Sequence, residues 1–168
     1  MKKIIAALTA FAAAMTMSVF AEKYVSANDL ELGAITENKT LEDDFTIMAT
    51  AEKNVEVTTQ SADCPNSIAT GEVFTQRIKI GGAGSAEFRN ISFPAKAGQK
   101  VTVYCKSSSK TDSRVVNVCS ADGAVVGTVE AAAYTGDISS GVVTIPADGN
   151  YYATSSKSTI YIYEIVIE

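Results

Sequence analysis

The chain has 168 residues, enough for one domain with a real core and too few for two. Hydrophobic residues make up 46% and charged residues 20%, so the composition is globular and not disordered. Histidine is absent, which excludes a Ser-His-Asp triad, a Cys-His pair and every histidine-ligated metal site.

Residues 1–21 read as an export signal. Lys2 and Lys3 make a basic start, residues 4–19 carry no charge, and Val19-Phe20-Ala21 puts small residues where a signal peptidase reads them. The signal has a bacterial look, and cleavage after Ala21 implies a secreted protein. No cysteine follows that site, so a lipid anchor is not expected. No later stretch is apolar for the roughly 18 residues a membrane helix needs.

Residues 22–168 hold 12 basic and 19 acidic groups, net −7. The charge is uneven: residues 22–72 are net −8, 73–115 net +6 and 116–168 net −5. A basic middle in an acidic chain points to a local anion site. A nucleic-acid binder would be basic overall.

In chain order, residues 22–44 read as an acidic, loosely ordered leader. Its Glu42-Asp43-Asp44 run reads as solvated acid, with calcium as the alternative; no metal or cofactor is expected. Short strand signals then follow one another. Residues 45–50 and 55–59 flank Glu52-Lys53-Asn54 as a hairpin. Residues 73–80 lead into Gly81-Gly82-Ala83-Gly84-Ser85, then 87–93. Residues 100–105 and 114–119 flank a polar loop, and 124–129 follows Ala121-Asp122-Gly123. Residues 141–145, 151–154 and 159–167 close the chain. Val, Ile, Thr and Tyr dominate these segments, and no helical period occurs outside the signal. Residues 45–168 therefore predict an all-β fold, an antiparallel β-sandwich of jelly-roll type.

The three cysteines are an odd number, so at most one internal bridge forms. With a loop at 106–113, Cys105 lies opposite Arg114 and Cys119 points to the other face. Those two pair only if a bulge shifts the register. Cys64, in the turn Asp63-Cys64-Pro65-Asn66, is within reach of either.

Alternation assigns faces. Phe74, Ile78 and Ile80 point inward, which turns Arg77 and Lys79 outward, about 7 Å apart along one strand. Val101 and Val103 point inward against outward Thr102, Tyr104 and Lys106. The last strand alternates Ile160 and Ile162 with Tyr161 and Tyr163, and Glu164 disturbs the inward reading of the even positions.

Little of this is catalytic. The glycine-rich stretch lacks the Lys-Ser/Thr and helix of a phosphate loop, so it reads as a flexible connection. Asn38-Lys39-Thr40 and Asn90-Ile91-Ser92 are formal glycosylation matches, coincidental in a bacterial export context. No carboxylate pair is placed for acid–base work. A uronate lyase with an Arg or Lys base stays possible on chemistry, but the chain is short for its long groove. The informative residues are two polar loops beside the basic strand, 106–114 and 155–158. Their small hydroxyl residues leave room for a ligand, and their Lys and Arg supply donors.

Gln76-Arg77-Ile78-Lys79-Ile80-Gly81-Gly82-Ala83-Gly84-Ser85, followed by Arg89-Asn90-Ile91-Ser92-Phe93, resembles a signature of modules attached to bacterial pectate lyases. So do Val101-Thr102-Val103-Tyr104 with the serine loop to Arg114-Val115-Val116, and Gly149-Asn150-Tyr151-Tyr152 running to Ile160-Tyr161-Ile162-Tyr163-Glu164-Ile165. The family resembled is the pectin-binding carbohydrate-binding modules, family 77, over residues 45 to 168. The resemblance implies a non-catalytic β-sandwich that recognises homogalacturonan, de-esterified pectin, through basic side chains. The absence of tryptophan and the basic middle agree with it. Departures are the three cysteines and the lack of an enzyme domain beside the module.

The expected site is thus Arg77, Lys79, Lys106, Arg114 and Lys157, with Tyr104 and Tyr161 as further candidates. The expected partner is an acidic plant polysaccharide, alongside co-secreted pectin-degrading enzymes. The rivals are a structural or adhesive domain with no glycan site and a small polysaccharide lyase.

Overall fold

The computed structural model describes residues 22–60 and 73–168. Among these, strands pair only in antiparallel fashion and form two sheets facing each other across one core. In spatial order the first sheet runs β11 (Ser139–Thr144), β8 (Lys100–Ser107), β13 (Ile160–Ile167), β6 (Gln76–Ile80), β5 (Val55–Thr59) and β2 (Gly33–Ile35). Strand β1 (Lys23–Ser26) joins it beside the C-terminal half of β13. The second sheet runs β10 (Val125–Ala131), β9 (Arg114–Ser120), β12 (Gly149–Ser155), β7 (Asn90–Ala95), β4 (Thr46–Met48) and β3 (Lys39–Thr40). Spatial neighbours are rarely chain neighbours, because the chain keeps crossing between sheets. This is the jelly-roll β-sandwich that the spacing of strand signals predicts.

Alternation builds the core. Strand β8 turns Val101, Val103 and Cys105 inward, and β7 sends Ile91 and Phe93 to meet them from the other sheet. Phe93 packs on Phe45 with ring centroids 5.7 Å apart. Strand β13 starts with Ile160 and Ile162 inside and ends with Ile165 and Ile167 inside. A bulge between Ile162 and Glu164 inserts Tyr163 and changes the parity. That bulge explains the disturbance at Glu164.

Four expectations need correction. Residues 22–44 are not a loose leader: β1 is fully paired with β13 from Lys23↔Ile167 to Ser26↔Glu164, and β2 and β3 extend both sheets. The acidic run helps hold β1, since Lys23 Nζ donates to Asp44 Oδ2 at 2.8 Å. The sandwich therefore begins near residue 23, not 45. Residues 45–59 are not a hairpin, because β4 and β5 lie in opposite sheets. Their inward residues, Ile47 and Val55, face one core from two sides. Cys105 does not lie opposite Arg114, because β8 and β9 belong to different sheets and both Cys105 and Cys119 are free. Phe74 leaves the main core and stacks on Tyr163 at 5.3 Å, within a second cluster on the outer face of the first sheet.

The glycine stretch is not loose throughout. A Cβ at Gly84 would collide with the Thr154 hydroxyl and the Arg89 carbonyl, so close backbone approach requires glycine there. The export signal and Cys64 lie outside the described residues. Among the described residues, no helix is long and apolar enough to cross a membrane.

Candidate functional site

The outer face of the first sheet gathers most of the expected residues. Strand register places Glu56, Lys79, Tyr161 and Lys106 in one row across β5, β6, β13 and β8. Alternation puts Arg77 on the same face, two residues from Lys79, where it pairs with Thr58 on β5.

Arg77 is half-buried and held on several sides. Its Nε donates to Thr58 Oγ1 at 3.1 Å, and its Nη1 to Gln60 Oε1 and Tyr134 Oη, each at 3.4 Å. The guanidinium carbon lies 4.0 Å from the Tyr161 ring centroid and 5.6 Å from that of Tyr134. Those two rings meet edge-on at 6.1 Å. A cation against two aromatic faces is stabilised by their quadrupoles. Burial pulls the Arg77 pKa down, but the Tyr134 hydrogen bond and neighbouring phenols outweigh it and leave the pKa above its ordinary value. Among the described residues, Nη2 donates to none.

The other cations differ. Lys79 pairs with Glu56 at 2.8 Å, the side chains 40% and 38% exposed, so its ammonium remains within reach of solvent. Lys106 is on the expected face but wholly buried, which corrects its role as a polymer contact. The chain after β10 folds back across it: Ser107 N donates to the Ala132 carbonyl at 2.7 Å and Tyr134 N to the Ser109 carbonyl at 2.8 Å. Lys106 Nζ then donates to the Tyr134 carbonyl at 3.0 Å. Tyr104, on the same strand face, is half-buried against the Phe74–Tyr163 cluster.

Arg114 and Lys157 sit at the loop end of the sandwich rather than on this face. Arg114 begins β9 in the second sheet, and its Nη1 donates to Ser108 Oγ at 2.7 Å and to the Thr159 carbonyl. It ties the two polar loops together. Lys157 is exposed in a turn that Ser155 Oγ caps by accepting from its backbone N–H at 3.4 Å. The loops adjoin the Lys79 end of the face, because Ile80, Ile160 and Ser107 form the next row beyond it.

Sequence reasoning missed Tyr134, Gln60 and Glu56. Glu56 was visible as the outward residue between Val55 and Val57. Tyr134 was not: it lies just past the end of β10, after Ala132 and Ala133, in an irregular segment where alternation assigns no face.

The opposite end of the same face has opposite charge. There a groove of about 520 Å³ runs between β1, β8 and β13, lined by Tyr24, Tyr104, Asp29, Glu164 and Glu168 among others. Among the described residues, Arg77, Lys79 and Lys106 thus stand toward the loop end of this face, with Glu56 paired to Lys79, and Asp29, Glu164 and Glu168 toward the far end.

No protein-family model matches the sequence, and no curated protein sequence matches it. Among solved structures, the chain is similar to the CBM22-1 xylan-binding domain from Paenibacillus barcinonensis. The TM-score is 0.50 at 12% identity, covering 87% of this chain and 92% of that one. It is also similar to a family 35 carbohydrate-binding module from Clostridium thermocellum, with a TM-score of 0.47 at 14% identity over 88% and 98% of the two chains. At such identities the likeness is one of fold.

Proposed function

We propose that this protein is a secreted, non-catalytic carbohydrate-binding module whose ligand is a polyuronate, homogalacturonan. The observation that carries the reading is the Lys79–Tyr161–Lys106 row with Arg77 stacked beside it. Cations and phenols collect at one end of one sheet face in an otherwise acidic chain. Lys79, Lys157 and the Nη2 of Arg77 are the donors a chain of carboxylates would meet. Lys106 and Arg114 support them from within. What this end supplies is donors and rings, which suits binding. The shared fold with carbohydrate-binding modules supports the same class of function, and the family 77 resemblance supports the uronate. Such a role belongs outside the cell, as the export signal implies, beside enzymes that degrade pectin.

Affinity electrophoresis tests this directly. Mobility should fall in gels containing polygalacturonate and recover as the polymer is methyl-esterified, because the ester removes the charge. Unchanged mobility in polygalacturonate would sink the reading. Unsaturated-uronate absorbance growing in the presence of the protein would favour the lyase instead.

The acidic groove favours a second reading, a neutral polysaccharide. Carboxylates there accept from sugar hydroxyls, and Tyr24 and Tyr104 offer rings. The xylan-binding relative in fold makes xylan the first polymer to try. Retardation by xylan and not by polygalacturonate would select this reading.

A further inference from the structure

We infer that Lys106 and Tyr134 are positioning residues, which hold the Arg77 guanidinium against two adjoining tyrosine rings so that its Nη2 meets the ligand's carboxylate. The inference rests on the proposal that this face binds a polyuronate, and it assigns roles within that site.

The geometry runs from the inside outward. Tyr134 lies in an irregular segment, which by itself has no reason to stay over the sheet. It is held by two backbone bonds to the 107–109 stretch and by the Lys106 ammonium on its own carbonyl at 3.0 Å. A fully buried lysine is costly unless its donors are used. Here the ammonium anchors the segment that carries the ring. Tyr134 in turn takes a hydrogen bond from Arg77 Nη1 and places its ring 5.6 Å from the guanidinium carbon. Thr58 and Gln60 occupy Nε and share Nη1, while Tyr161 lies 4.0 Å from the guanidinium carbon on its own account. One edge of a planar fork is therefore immobilised, which fixes the direction of Nη2, unbonded among the described residues. A guanidinium fixed in this way loses less rotamer freedom on binding than a flexible lysine does.

The test combines binding with a reporter on Arg77 itself. The Arg77 Nε–H resonance in a proton–nitrogen spectrum should carry the ring-current shift of two tyrosines. Lys106→Met and Tyr134→Ala should each move that resonance toward its random-coil position. Each should also weaken binding to a de-esterified oligogalacturonate by about ten-fold, the loss that one charge-assisted hydrogen bond represents. Lys79→Ala should weaken binding without moving the resonance, which separates positioning from contact. Should Lys106→Met fail to fold, Tyr134→Phe, which keeps the ring and removes the acceptor of the Arg77 Nη1 bond, should still weaken binding, and binding at the wild-type level would overturn the inference. An Arg77 resonance unmoved in the folded variants would overturn the inference, whatever happens to affinity. If wild type ignored oligogalacturonate while the resonance moved as expected, the uronate reading would fall, and with it the role of Nη2, but the positioning of Arg77 would stand.

Discussion

Gly127 on β10 lies so close to Val143 on β11 that a Cβ on the glycine would sit 2.5 Å from Val143 Cγ1. The relation is reciprocal, since a Cβ on Gly141 would meet Val129 Cγ1 at 2.9 Å. These strands edge opposite sheets, so each sheet places a glycine under the other's valine and the sandwich closes at that side. Gly127→Ala should therefore destabilise the fold by roughly 1–3 kcal/mol, as overpacking does, despite the alanine's better backbone entropy. Thermal unfolding measures this. Val143→Ala added to Gly127→Ala should restore part of the loss, and a double variant as unstable as the sum of both singles would contradict the packing account.

Alkaline pH should weaken the fold earlier than an exposed thiol and phenol would allow. Burial pushes the Cys105 thiol up to about 12, outweighing a lowering hydrogen bond with Ser139. Burial and its neighbour Cys119 push Tyr152 up to about 12 as well, and Cys119 itself is raised by burial. In the unfolded chain these groups ionise near their ordinary values, about 8.5 for a thiol and about 10 for a phenol. Between those values and about 12 the unfolded state binds fewer protons than the native state, so stability falls as pH rises. Below about pH 8 the effect vanishes. Melting temperatures taken across this range should decline on the alkaline side, and Cys105→Ala should decline less steeply. An identical slope in the variant would remove Cys105 from the account.

How much of this was legible in the sequence depends on whether a feature is local. Alternation in Lys100–Ser107 and Gln76–Ile80 sorts core from face within each strand, so Arg77, Lys79 and Lys106 were correctly put on one side of their strands. Strand partners are not local. Nothing in residues 45–59 says that β4 and β5 part company, and nothing in Lys23–Ser26 names β13 as its neighbour. The high acid content of residues 22–44 suggested solvation, yet Val25 and Ala27 are buried and Asp44 is tied to Lys23. Lys106 departs from its expectation for a related reason: an outward residue need not be exposed. Lys106 points away from the main core and is still buried, because a segment some thirty residues later folds over it.

The exposed cations carry the last prediction. Lys79 and Glu56 form an ion pair open to solvent, and such pairs contribute only about 0.2–1 kcal/mol to stability. Lys79→Ala and Lys157→Ala should thus leave the melting temperature nearly unchanged while reducing binding to polygalacturonate. Lys106→Ala should do the reverse in order of effect, lowering the melting temperature first, because it empties a buried site and leaves the Tyr134 carbonyl without its donor. Each exposed contact is weak, so affinity should rise with polymer length as several are made at once, and single galacturonate should bind poorly. Salt should weaken binding steeply, since these charges are separated from solvent by little and screened within about 8–10 Å. Titrations at two ionic strengths, with wild type and the two lysine variants, measure all of this. Binding that ignores salt and both substitutions would remove the basic end from consideration, and Tyr24 and Tyr104 in the acidic groove would become the residues to replace.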